Sequence, residues 1–113
     1  MHELSLAEAM LDIIKEQALQ DGFTKVTKVV LEIGALSHVE ADAMRFCFDA
    51  VVEDSIAKSA LLEIQKMSAK AQCPDCYEIN TIHNLYDACS HCGAFGLKIL
   101  EGDQLRIRHL EVE

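Results

Sequence analysis

Four cysteines form two matched pairs in the C-terminal half of this 113-residue sequence. The first pair is Cys73-Pro74-Asp75-Cys76, and the second, twelve residues later, is Cys89-Ser90-His91-Cys92. Two intervening residues allow both thiolates of a tight turn to face one ion, and two such turns make a closed tetrahedral site. Pro74 suits the first turn, and Gly93 offers a positive φ after the second. The spacing therefore predicts a metal site with four ligands: Cys73, Cys76, Cys89 and Cys92.

Zinc is the first choice of ion for these thiolates. Four soft sulfur ligands leave no open coordination position for chemistry, which is typical of structural zinc. Iron in a rubredoxin-like site takes the same ligands and stays open as an alternative. Disulfides or a redox dithiol fit less well, because a redox pair normally lies at a helix start that lowers one thiol pKa. Metal binding in so small a module would supply most of its folding energy.

The first three residues, Met1-His2-Glu3, carry a second set of donors. An α-amine has a pKa near about 7.7–8.0 and an imidazole near about 6.5, so both can be neutral donors close to physiological pH. If a metal displaces the His2 amide proton, the amine, amide and imidazole nitrogens form two fused chelate rings. Three planar nitrogens favour Ni(II) or Cu(II). The Glu3 amide or carboxylate is a further candidate ligand.

Two helices are predicted in the first half of the chain. Ser5 and Glu8 have the spacing of a capping box, so the first helix should span residues 6 to about 20 and leave residues 1–4 as a short arm. Gly22 suits the left-handed stop after its last turn. The same cap spacing, at Ser37 and Glu40, predicts a second helix from about Val39 to Glu53. Its predicted buried face comprises Ala43, Phe46, Cys47, Ala50 and Val51.

Three strands complete the predicted core. Residues 24–33 are rich in β-branched side chains, Ala60 to about Met67 form a second apolar stretch, and residues 104–111 alternate as a half-buried strand does. We expect an α+β fold in which two helices pack on a roughly three-stranded sheet, with an inserted four-cysteine zinc-binding module. The predicted domains are 1–70 plus 98–113, and 71–97 for the zinc-binding domain, which should depend on its metal rather than on a core.

Composition restricts the classes of function. Half of the residues are apolar, and 19 acidic against 10 basic residues give a formal net charge of −9. Such a surface repels nucleic-acid phosphates and anionic membranes, so we expect neither as a partner. No apolar run approaches the roughly 18 residues of a membrane span, and the start has no basic region of a secretory signal, which predicts a cytoplasmic protein. No catalytic triad, phosphate-binding glycine loop or carboxylate pair stands out, so we do not expect an enzyme.

Five features of the sequence occur together: the opening Met-His-Glu-Leu-Ser-Leu-Ala, the strand ending at Gly34, the Arg-Phe-Cys-Phe helix at 45–48, the paired cysteine motifs and a final strand. In this combination the sequence resembles the HypA/HybF proteins, nickel metallochaperones of NiFe-hydrogenase maturation. The resemblance covers essentially the whole chain. It implies a mixed α/β nickel-binding domain that carries a zinc-binding domain.

The resemblance also implies metals and partners. Nickel would be bound as cargo through His2 and neighbouring backbone nitrogens, and structural zinc through Cys73, Cys76, Cys89 and Cys92. The implied partners are the GTPase HypB and the hydrogenase large-subunit precursor. Some members serve urease, so urease maturation proteins are further candidates, and a homodimer is allowed for. The alternative is a zinc-ribbon module that binds protein or nucleic acid and carries no nickel.

Overall fold

A computed structural model describes residues 3–113. Within this range the chain forms two helices and six strands: α1 Glu3–Asp21, β1 Val26–Gly34, α2 Ala41–Val51, β2 Leu61–Met67, β3 Ala69–Gln72, β4 Ile79–Ile82, β5 Lys98–Glu101 and β6 Leu105–Val112. The strands form two three-stranded sheets, with the orders β2-β1-β6 and β4-β3-β5. The α+β class, the two helices and the first sheet are confirmed. The second sheet was not predicted.

Helix α1 begins earlier than the capping-box pattern predicts. It already includes Glu3, so Ser5 is an exposed residue inside the helix and the predicted four-residue arm is wrong. A serine followed three residues later by glutamate also fits the exposed side of a first turn, so the pattern alone does not place the cap. Its buried side is Ala7, Met10, Leu11 and Ile14. The predicted stop is confirmed, since Gly22 has a φ of 77° and donates to the Ala18 carbonyl at 2.8 Å.

Helix α2 is capped by Glu40 rather than Ser37. The Glu40 carboxylate accepts from the backbone N–H groups of Asp42 at 3.1 Å and Ala43 at 2.7 Å. The predicted buried face is also wrong, because the fully buried side chains are Met44 and Phe48. Phe46 is 76% exposed and Cys47 is half-buried. The charged residues of this helix share one side, but the apolar residues opposite them cover a broad arc, so periodicity alone does not decide between Phe46 and Phe48.

Removal of the α2 cap should weaken the fold measurably. We expect Glu40→Ala to lower the free energy of unfolding by about 1 kcal/mol, because two helix N–H groups lose their acceptor. Urea denaturation followed by circular dichroism measures this loss. Asp49→Ala, an exposed change in the same helix, is the matched control and should not destabilise. A Glu40→Ala protein as stable as the parent would contradict the assignment of the cap.

The chain divides into two compact units. The first comprises the described residues up to Leu31, His38–Ile64 and Ile107–Glu113, and it contains both helices, which pack against each other. The second comprises Glu32–Ser37 and Gln65–Arg106, and it contains all four paired cysteines. No helix in the described range is both long and apolar enough to cross a bilayer.

The second unit contains a small apolar cluster, which corrects the expectation of a module without a core. Its buried members are Ala69, Ala71, Cys73, Ile82, Cys89 and Leu97. β3 pairs antiparallel with β4 on one side and with β5 on the other. Only two of the six buried side chains are large aliphatic ones, so two cysteines are integral to the cluster.

Two glycines meet closely within this same unit. A Cβ on Gly34 would lie 2.1 Å from the Gly102 carbonyl oxygen, which is far inside van der Waals contact. That carbonyl accepts from the Leu36 N–H at 2.7 Å, and Gly102 has a φ of 143°. The backbone at Gly102 therefore approaches the end of β1 so closely that position 34 accepts only glycine.

Candidate metal centre

The two cysteine pairs form turns with the same backbone hydrogen bonds. The carbonyl of Cys73 accepts from the Tyr77 N–H at 3.0 Å, and that of Cys89 accepts from the Gly93 N–H at 2.9 Å. The N–H of each of these cysteines donates to the carbonyl five residues later, at 3.0 and 2.8 Å. The positive φ expected at Gly93 is confirmed at 79°. Tyr77 takes the equivalent position with a φ of 63°, which its residue type does not predict.

The turns bring four sulfur atoms together. The Sγ atoms of Cys73, Cys76, Cys89 and Cys92 all lie within 4.8 Å of one another. Cys73 and Cys92 are 3.5 Å apart and Cys76 and Cys89 are 3.6 Å apart, too far for the roughly 2.05 Å of a disulfide. Metal–sulfur bonds of about 2.3 Å in a tetrahedron place sulfurs roughly 3.8 Å apart. The donor set and its spacing thus fit one tetrahedral ion such as zinc.

The electrostatics of the cluster also favour a cation. Burial raises the pKa of the Cys89 thiol, but the backbone N–H groups of Cys92 and His91, the Asn80 amide and Cys76 outweigh it and lower this pKa to about 6. The Glu78 backbone lowers the pKa of Cys76, but burial and the neighbouring thiols raise it to about 12. One thiolate therefore opposes ionisation of the next. A bound cation removes that opposition, so all four sulfurs can ionise together.

The histidines of the described range and the fifth cysteine lie outside the sulfur cluster. Within residues 3–113, the group that could hold a metal consists of the four cysteines alone. His91 is exposed, as expected for its place in the turn, and its Nε2 lies 4.0 Å from a Glu78 carboxylate oxygen. The exposed His83 donates its backbone N–H to Asp87 at 2.9 Å. Cys47 is a half-buried thiol on α2.

The predicted nickel ligands lie at the other end of the chain. Met1 and His2 are outside the described residues. Glu3 is the first residue of α1, and its carboxylate accepts the Glu40 backbone N–H at 3.2 Å. The contact joins the start of α1 to the cap of α2 within the first unit.

Comparison with known proteins identifies the family. Residues 1–112 match the family model described as "Hydrogenase/urease nickel incorporation, metallochaperone, hypA". This chain belongs to the HypA family. The hydrogenase maturation factors HypA of Rhodopseudomonas palustris (strain BisA53) and Azotobacter vinelandii are 47% and 43% identical over 113 residues, which is the full length of each chain.

A solved HypA structure shares the fold. The solution structure of the Ni metallochaperone HypA from Helicobacter pylori aligns with a TM-score of 0.74 at 27% identity, covering 99% of this chain and 97% of that one. The resemblance inferred from the sequence is confirmed. This HypA chain is accordingly a metallochaperone of nickel incorporation for hydrogenase or urease, and it has a four-cysteine metal site.

Proposed function

We propose that this chain carries Ni(II) at its N-terminus and delivers it during maturation of NiFe-hydrogenase, while zinc in the four-cysteine site has a structural role. The observation that carries the proposal is the family match, which runs through residues 1–112 and so includes Met1-His2-Glu3. The proposed nickel ligands are the Met1 amine, the His2 amide and imidazole nitrogens, and Glu3. Two fused chelate rings of nitrogen donors suit a tetragonal Ni(II) ion.

Glu3 offers two donors, and its contacts favour one of them. The carboxylate already accepts the Glu40 N–H at 3.2 Å, which supports a positioning role between the two helices. We therefore favour the Glu3 amide nitrogen over its carboxylate as the additional nickel ligand.

The four-cysteine site suits a structural ion rather than cargo. Its four sulfur donors complete a tetrahedral shell, and two of the cysteines are buried in the apolar cluster of their unit. The alternative ion is iron, which would make the protein red. We propose that the ion is zinc. We also propose that residues 71–97 form the zinc-binding domain and that residues 1–70 plus 98–113 form the nickel-binding domain.

Delivery requires protein partners. We propose the GTPase HypB and the hydrogenase large-subunit precursor as partners, with urease maturation proteins as further candidates. A homodimer of this chain is a further candidate assembly. The net charge of −9 favours protein partners over nucleic acid. The sequence has no phosphate-binding glycine loop, so a nucleotide-driven step would belong to the partner. We place this exchange in the cytoplasm.

Transfer of radioactive nickel tests delivery. Nickel-loaded protein is mixed with the large-subunit precursor and HypB with GTP, in the presence of a chelator that traps free nickel. We expect nickel to accumulate in the precursor, since direct docking bypasses the chelator. Nickel chloride at the same concentration is the control and should supply none. Equal supply from nickel chloride, or complete loss of the carried nickel to the chelator, would contradict delivery.

A further inference from the structure

Asn80 is a buried polar side chain beside the cysteine cluster. It lies on β4 and is only 3% exposed. Its amide nitrogen lies 3.5 Å from Cys89 Sγ and 3.3 Å from the Glu78 carbonyl oxygen. Its amide oxygen accepts from the Ser90 N–H at 2.9 Å and from the Ser90 hydroxyl at 2.8 Å. Both ends of the amide therefore engage residues of, or next to, the cysteine turns.

These partners determine which way the amide points. The Ser90 backbone N–H can only donate, so the group facing it must be the amide oxygen. The Glu78 carbonyl can only accept, so the amide nitrogen must lie on that side, where Cys89 Sγ also lies. The reversed amide would leave a buried donor facing a donor, which costs free energy. Asn80 is thus fixed as a donor to the Cys89 sulfur.

Cys89 receives N–H donors from its own turn as well as from Asn80. Besides the Asn80 amide, the His91 backbone N–H approaches its Sγ at 3.4 Å. An N–H directed at a thiolate withdraws negative charge from the sulfur, and in a site of four thiolates this relieves repulsion among the ligands. Cys89 is also buried, whereas Cys92 in the same turn is exposed. The two sulfurs of the second turn thus differ in both hydrogen bonding and accessibility.

We propose that Asn80 is a positioning residue of the metal centre. Its oxygen holds the second cysteine turn through Ser90, and its nitrogen stabilises the Cys89 thiolate. The proposal rests on the four-thiolate metal site of the proposed function. The spacing of the cysteine pairs does not mark position 80.

Four variants of the cobalt-loaded protein separate these roles. Asn80→Ala removes both ends of the amide, while Asn80→Asp keeps an oxygen for Ser90 and loses the donor to sulfur. Ser90→Ala removes only the hydroxyl contact, and Asn84→Ala changes an exposed asparagine outside the cluster. The readouts are the energy of the sulfur-to-cobalt charge-transfer band and the rate of metal release to a chelator.

Loss of the N–H donor should make the sulfur easier to oxidise. We expect the band to move to lower energy in both Asn80 variants. Metal release should be about tenfold faster or more, an effect of the size seen when a hydrogen-bond partner of a metal ligand is removed. Ser90→Ala and Asn84→Ala should keep the band of the parent. If Asn80→Ala fails to fold, Asn80→Asp carries the comparison. A folded Asn80→Asp protein with the band energy of the parent overturns the proposal.

Cadmium NMR tests the contact without any substitution. In the parent protein loaded with ¹¹³Cd, scalar coupling should connect the metal to an Asn80 side-chain N–H proton through Cys89 Sγ. The His91 backbone N–H, which approaches the same sulfur, is the internal reference. A His91 cross peak without an Asn80 cross peak overturns the proposed role of Asn80. A parent that binds neither cobalt nor cadmium through four thiolates would instead contradict the metal site itself.

Discussion

Replacement of His2 by alanine should abolish tight nickel binding and leave zinc in place. The imidazole is one of the three nitrogen donors that form the fused chelate rings, so its loss removes a ring. Loss of a residue that only hydrogen-bonds to a metal ligand costs roughly 10–100-fold in metal affinity. Loss of a ligand itself should cost more, so we expect nickel affinity to fall by at least about 100-fold, or about 2.8 kcal/mol. Isothermal titration of untagged protein with Ni(II) measures the change.

Two controls make this result specific. His109→Ala removes an exposed histidine from β6 and should bind nickel as the parent does. Acetylation of the N-terminus turns the amine into an amide, so it should weaken nickel binding as His2→Ala does. A His2→Ala protein with the nickel affinity of the parent, or a His109→Ala protein that loses nickel, would refute the terminal site.

Removal of the metal from the four-cysteine site should unfold the second unit. The apolar cluster there has two large buried aliphatic side chains, Ile82 and Leu97, each worth roughly 1.5–3 kcal/mol, with only the partly buried Leu36 and Ile99 added to them. Structural zinc in comparable small modules contributes about 10–16 kcal/mol. Cys73→Ser removes both a ligand and a buried member of the cluster. We therefore expect residues 73–97 to become protease-sensitive and the bound zinc to be lost, while the helical circular dichroism from α1 and α2 persists.

A chelator provides the reversible form of the same experiment. The parent should lose protection when zinc is removed and regain it when zinc is added, whereas Cys73→Ser should not recover. Cys47→Ser changes a half-buried thiol on α2 and should keep zinc and protection. Persistent protection and one equivalent of zinc in Cys73→Ser would show that the metal is not required for folding.

Features with strict local geometry were predictable from the sequence. The four thiols converge as their paired spacing predicts, because a CxxC turn leaves few backbone conformations open. β1, β2 and β6 lie where β-branched and alternating residues occur, and Gly22 ends α1 as its freedom to take positive φ predicts. Each of these patterns excludes most alternatives within a few residues.

Features that depend on tertiary contacts were not predictable. Ser5 and Ser37 both have capping spacing, yet the cap of α2 is Glu40, whose own N–H binds the distant Glu3. The buried face of α2 depends on its packing against α1, so Phe46 is exposed and Phe48 is buried. The strands of the second sheet are four residues each, which is too short to show a clear alternation of apolar and polar residues in the sequence. Asn80 acquires its role only when β4 brings it beside Cys89.

X-ray absorption at the nickel and zinc edges of one untagged sample identifies the donor atoms around each metal. Nickel at the N-terminus and zinc at the cysteines would be two separate sites with different donors in the same molecule. The nickel edge should therefore show nitrogen and oxygen ligands without sulfur, and the zinc edge should show four sulfurs at about 2.3 Å. Sulfur around nickel, or nitrogen and oxygen around zinc, would contradict the assignment of nickel to the N-terminus and zinc to the cysteines.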